Sequence, residues 1–250
     1  MRKYLMLTMA LAALIAVSVA GIATGANKPE TVEVGNLVFT FNGGFKPDKL
    51  PKKKMAPIKL QASGAISTKD GSHPPALKQV ILETDKNGAV NVKGIPVCKS
   101  GQLQSRDTKG AEKACKSAII GKGTTKVDIK FPEQPTIPVQ SKLLVFNGGK
   151  SGATTTLFIH AYITVPTPAA IVTTVKIKKV NNGRYGLKSV ATIPKIAGGS
   201  GSVRTFSLTV GKKSVLTAKC PDGKLQANAT AMLADGTKAS ATIIRPCTGT

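Results

Sequence analysis

Two histidines, His73 and His160, four cysteines and twelve acidic residues are the side chains of this 250-residue chain best suited to chemistry. A serine nucleophile would come most naturally from the glycine-rich stretch Gly198–Ser202, at Gly199-Ser200-Gly201, with His160 or His73 as its base. His160 lies in Phe158-Ile159-His160-Ala161-Tyr162, where alternation puts it on one strand face with Phe158 and Tyr162. That is the setting of a sheet or core residue. His73 precedes Pro74-Pro75 and reads as a loop residue. Paired carboxylates could hydrolyse glycosides without histidine. Ten of the twelve acids, however, precede residue 140, and the remaining two, Asp222 and Asp235, sit in turn sequences. There is no Trp to stack on a sugar. Gly148-Gly149-Lys150-Ser151 resembles the end of a phosphate-binding loop, but Leu144 stands where the motif requires its first glycine. The residues after it, Gly152 to Phe158, read as turn and strand rather than helix. These patterns predict no enzyme, no cofactor and no catalytic residues.

The cysteines are Cys98, Cys115, Cys220 and Cys247. Their spacings lack the close pairs of a zinc site, so no metal is expected. An even number in an exported chain reads as two disulfides, and four cysteines allow three pairings. The local scheme, Cys98 with Cys115 and Cys220 with Cys247, is expected because each half of the chain holds one pair. Export itself is read from residues 1–26. Arg2 and Lys3 precede an apolar run from Leu5 to Val19, and small residues follow, with cleavage expected after Ala26 or Ala20. The run is short for a membrane helix of ~20 residues. Later apolar stretches are broken by Lys, Thr and Pro, so no integral span is expected after cleavage. The predicted location is extracellular or associated with the cell envelope.

Charge is the strongest functional signal. Lys and Arg number 36 against 12 Asp and Glu, a formal net charge of +24. Lys52-Lys53-Lys54 is the densest cluster, and Lys176, Lys178 and Lys179 crowd one strand beside Arg184, Lys188 and Lys195. Such fields attract polyanions, among them anionic polymers of the cell envelope. Lysines on outward strand faces also keep sheet edges soluble. Arginine is scarce and aromatic residues are only 4%, so neither bidentate phosphate recognition nor base stacking is indicated.

The elements that must position these residues read almost entirely as strands. Lys126 to Phe131, Leu225 to Ala231 and Ala239 to Ile243 alternate apolar and polar residues with period two. Asn87-Gly88, Asn182-Gly183 and Asp235-Gly236 are tight-turn signals between such runs. One short helix near 107–118 is possible, capped by Asp107 and presenting Ala111, Ala114, Cys115 and Ala118 on one face, although Gly110 weakens it. The stretch 132–138, rich in proline, reads as a stiff linker. Around it the chain echoes itself. Phe41-Asn42-Gly43-Gly44 returns as Phe146-Asn147-Gly148-Gly149, and Cys98 to Gln104 returns as Cys220 to Gln226. The expected architecture is all-β, with tandem sandwich-like domains at 27–131 and 139–250 and a possible internal duplication. The protein is expected to be monomeric or weakly associating.

Two cysteine-centred segments carry a resemblance. Gly94-Ile95-Pro96-Val97-Cys98 is followed by Ala114-Cys115-Lys116-Ser117-Ala118-Ile119-Ile120-Gly121-Lys122-Gly123. Later come Leu143 to Gly148, Phe206 to Gly211, Lys219-Cys220-Pro221 and Arg245-Pro246-Cys247. This order resembles a family of secreted bacterial β-rich proteins with two local cysteine pairs. The resemblance implies export, a β fold and local disulfides. It implies no activity and assigns no functional residue. On the residues alone, a non-catalytic structural or interaction module of the cell surface is the leading expectation, ahead of a polyanion-binding module and then a hydrolase.

Overall fold

A computed structural model describes residues 28–249; the expected leader at 1–26 lies outside the described residues. The chain forms β1 (Glu30–Val34), β2 (Leu37–Lys46), β3 (Lys49–Leu50), β4 (Ala56–Pro57), β5 (Lys59–Thr68), β6 (Leu77–Asp85) and β7 (Gly88–Val90). After α1 (Thr108–Cys115) come β8 (Ile119–Ile129), β9 (Ile137–Ser151), β10 (Thr154–Ile163), β11 (Ala169–Asn182) and β12 (Tyr185–Thr192). The last strands are β13 (Gly201–Val210), β14 (Leu216–Ala218), β15 (Lys224–Leu233), β16 (Lys238–Pro246) and β17 (Thr248–Gly249).

Twelve strands form one antiparallel sheet in the order β1-β2-β5-β13-β8-β9-β10-β11-β12-β6-β15-β16. Its two ends, β16 and β1, lie against each other, and the sheet is a nearly closed barrel. Arg245 spans the seam. Its Nε donates to the Gly43 carbonyl (2.6 Å), while Nη2 donates to the Lys28 carbonyl (3.0 Å) and to Asn42 Oδ1 (2.9 Å). The guanidinium is buried, and its loss of water lowers its affinity for its proton while the nearby Glu30 carboxylate opposes that effect.

The period-two patterns become inside and outside. Leu157, Val175, Ala191, Val80, Ala231 and Ala239 lie side by side on an inward row across six neighbouring strands. Thr154, Lys178, Lys188, Glu83, Asn228 and Thr242 form an outward row across the same strands. Apolar inside and polar outside is the reverse of a lipid-embedded barrel. Among the described residues, no helix is long and apolar enough to cross a membrane.

Both disulfides form in the expected local pairs, Cys98–Cys115 and Cys220–Cys247. The first holds α1 against the outside of the barrel, where Ala111, Cys115 and Ala118 pack on Leu144, Phe146 and Phe158. Asp107 caps the helix by accepting from Gly110 N at 2.7 Å. A Cβ at Gly110 would come 2.8 Å from the capping oxygen, so the glycine that weakens the helix also makes room for its cap. Ala114, expected on the packed face, is exposed. The second disulfide lies at one end of the barrel with Leu50, Ala218 and Leu225, beside the small β4-β14-β7 sheet.

Tandem sandwiches are replaced by one interleaved sheet. β13 sits between β5 and β8, and β6 sits between β12 and β15, so each half contributes strands to the other's neighbourhood. The proline-rich stretch is no linker. Ile129 pairs with Ile137 and Asp128 with Pro138, making it the loop of the β8–β9 hairpin. The two Phe-Asn-Gly-Gly echoes differ in setting: Phe41 faces the barrel interior and Phe146 lies outside it, beneath α1. Asn182-Gly183 and Asp235-Gly236 make the expected hairpins, whereas Asn87-Gly88 sends β7 out to pair with β14.

Where β8 meets β13 the backbones approach unusually closely. A Cβ at Gly123 would fall 1.9 Å from the Ser207 carbonyl oxygen, a fixed backbone atom. Gly123→Ala should lower stability by about 1–3 kcal/mol through forced backbone displacement. Gly44→Ala, where a Cβ meets nothing within 4 Å, should be near neutral. Urea midpoints of the two variants check this contrast.

Candidate functional site

The acidic residue most deeply placed is Asp85, at the end of β6 and 3% exposed. The turn after β6 brings Asn87 to it, and the β11–β12 hairpin brings Arg184. Asp85 Oδ1 accepts from the Asn87 backbone (3.0 Å) and side chain (2.9 Å). Oδ2 accepts from Arg184 Nε (2.6 Å) and Gln226 N (3.1 Å). Arg184 also grips both oxygens of Asp222 and donates to the Lys224 carbonyl at 2.8 Å. Asp222 thereby holds the Arg184 guanidinium more firmly protonated, and Arg184 holds the Asp222 carboxyl below its ordinary range. Two carboxylates shared by one guanidinium, one of them fully engaged, form a clamp joining β6, the hairpin and β15. They do not make an acid–base pair, which needs open space for a glycosidic oxygen between its members.

His160 is on the outward face of β10 beneath α1 and is wholly buried. Its Nε2 donates to the Arg106 carbonyl at 2.9 Å, while Nδ1 meets no partner. Among the described residues no serine hydrogen-bonds to it. His73 instead approaches Ser202, the last residue of the glycine-rich stretch, with 3.0 Å between Nε2 and Oγ. The sequence offers Ser200 as the nucleophile, with His160 or His73 as its base. Ser202 is 1% exposed, and its hydroxyl donates to the Pro74 carbonyl. With its hydrogen committed there, the hydroxyl accepts from His73, opposite to the polarity of an activated nucleophile. The pair pins the 71–76 loop to β13.

Among the described residues no group of three His, Cys, Asp or Glu is placed to hold a metal ion. Gly148-Gly149-Lys150-Ser151 ends β9, and Ser151 pairs with Thr154 in a hairpin. Asn147, just before it, anchors the first cysteine loop through bonds to the carbonyls of Ile95 (2.9 Å) and Pro96 (3.2 Å).

The lysines are differently placed. Lys46 pairs in register with Lys59, Ser151 with Thr154, Asn182 with Tyr185, and Lys224 with Pro246, so these strand ends all lie at the disulfide end of the barrel. Topology therefore gathers Lys46, Lys59, Lys86, Lys150, Lys178 and Lys224 around that rim, all exposed. Lys52, Lys53 and Lys54 occupy an exposed bend beside it, and Lys176 and Lys179 are exposed on β11. None of Lys52, Lys53, Lys54, Lys176, Lys178 and Lys179 has a salt bridge among the described residues. At this rim Asp85 and Asp222 are already neutralised by Arg184. The opposite end carries Glu33 paired to Lys69 and Asp128 paired to Arg204, with Asp70, Glu133 and Asp235.

Inside the barrel lies a cavity of about 300 Å³ whose walls come from nearly every strand of the large sheet. Phe41, Leu82, Leu157, Ile177, Phe206 and Ala229 are among its lining residues. Sequence reasoning did not find it; the signal was the alternate alanines Ala227, Ala229 and Ala231 on the inward face of β15. No family model, no curated protein and no solved structure matches this chain.

Burial lowers the proton affinity of both histidines below the ordinary value near 6.5. Neutral histidine is thus the folded form. Its contribution is complete above that value and lost as pH falls through the folded one. Stability should therefore decline from pH 7.5 to pH 5.5. His160→Gln, which keeps a donor for Arg106, should flatten part of that decline in urea denaturation at the two pH values.

Proposed function

We propose that this protein is an exported, non-catalytic interaction module that meets an anionic polymer of the cell envelope through the cationic rim of its barrel. The observation that carries the reading is the gathering of exposed lysines at one end by the antiparallel topology, of which Lys46 is ion-paired, to Asp48. Two disulfides suit an oxidising compartment. The most reactive side chains support binding over catalysis: Asp85, His160 and Ser202 are sealed within the fold and engaged with backbone or Arg184. Lysine, a flexible point charge, suits a partner recognised by charge density rather than by shape.

Like charges also face each other here. Lys178 lies directly opposite Lys188, an arrangement that costs stability in a sheet, with Glu83 on the far side of Lys188 as partial relief. An anion laid across this face would remove the repulsion.

Retention on heparin should be strong at low salt. Affinity for duplex DNA, used as a model polyanion, should fall with salt at a logarithmic slope of about 0.9 per phosphate neutralised. Replacing Lys52, Lys53 and Lys54 with Gln, or Lys176, Lys178 and Lys179, should reduce that slope. Replacing Lys130, Lys195 and Lys238, at the opposite end, should leave it unchanged. Equal effects from all three triple variants would mean a diffuse field, and the lysines would then serve solubility alone.

A further inference from the structure

The barrel interior has no role in the reading above. A barrel of about eight strands is filled by its own side chains or holds one small ligand, and wider ones leave more room. Twelve strands here enclose more space than the inward residues occupy. Several of those residues are small: Ala227, Ala229 and Ala231 line the cavity from β15 and Ala62 from β5. Alanine and glycine are depleted in strands, where Val and Ile would both form the sheet better and fill the gap. Their repeated use on one face keeps the cavity open.

The chemistry of the wall is selective. Phe41, Leu82, Leu157, Ile177, Phe206 and Leu208 present only carbon. Ordered water needs two to four polar partners, and the middle of this cavity offers one side-chain hydroxyl, that of Ser189 on β12. Left empty, the wall atoms lack dispersion contacts on one side. At the disulfide end Thr84 and Arg245 face the cavity, while Asp85 and Gln226, which also border it, are engaged with Arg184 and Tyr185. The volume, about 300 Å³, falls at the lower end of the ~300–1,000 Å³ common for small-molecule sites.

We propose that the barrel interior binds one small molecule with a hydrocarbon body, of the acyl-chain kind, lying along the inward faces with its polar end towards Thr84 and Arg245. The site is independent of the cationic rim: one is internal and apolar, the other external and electrostatic.

The test uses the intact, disulfide-bonded protein and the fluorophore N-phenyl-1-naphthylamine. Its fluorescence should rise and saturate at one equivalent, dodecanoate should displace it, and the saturated protein should melt at a higher temperature than the free protein. Ala229→Leu and Ala62→Leu fill the cavity from different walls. Each should weaken the probe at least tenfold while the protein still melts cooperatively. Lys176→Gln, on the outside, should leave probe binding unchanged. If one filled variant does not fold, the other decides. Absence of saturable binding and of a thermal shift overturns the proposal, as does binding that a folded filled variant leaves intact. Loss of heparin retention with probe binding retained would reject the rim and spare the cavity.

Discussion

Closure of the sheet governs everything else in this molecule. An open twelve-stranded sheet would expose its inward face and two free edges. Bringing β16 against β1 hides both at once, and Arg245 is the side chain that spans the seam by bonds to Gly43, Lys28 and Asn42. A buried guanidinium is costly unless its hydrogens are used. Here they are directed at the carbonyl oxygens of Gly43, Ile244 and Lys28 and at Asn42 Oδ1. Once the barrel closes, alternation along each strand becomes a division between an apolar interior and a lysine-bearing exterior.

The same closure separates the two surfaces for which binding is proposed. Outside, hairpin connections place strand ends, and with them the lysines, in a ring at the disulfide end. Inside, the barrel's width exceeds what its alanines and glycines fill. The helix and the first disulfide serve neither surface directly. They cover the outward apolar residues Leu144, Phe146 and Phe158, which would otherwise stand in water. His160 belongs to that cover, which explains why a solitary histidine is sealed there.

Much of this was legible from local patterns. Strand alternation around Leu225 to Ala231, the Asp107 cap and the Asp235-Gly236 turn depend on neighbours in sequence, and each is found as read. The local cysteine pairs follow the same logic. Pairing between distant strands was not legible. Nothing local tells Thr205 to lie beside Ala65, or Ala231 beside Val80. For that reason the proline-rich stretch read as a linker between sandwiches, although the ladder beyond it makes it a hairpin loop. The Ser202–His73 contact and the Asp85 bonds to Arg184 and Gln226 join residues 99 to 141 positions apart, and they were missed on the same ground. The cavity left a fainter trace in alanines where a strand would favour Val or Ile.

The claim that both halves build one barrel is tested most directly by cutting the chain. A protease site placed after Gln134, in the exposed β8–β9 loop, divides the protein with neither disulfide crossing the cut. Size-exclusion chromatography of the nicked, unreduced protein should give one folded species of the original size, because β13 stays inserted between β5 and β8 and β6 between β12 and β15. Two separately eluting fragments, each folded and melting cooperatively, would contradict the single barrel and restore the tandem arrangement.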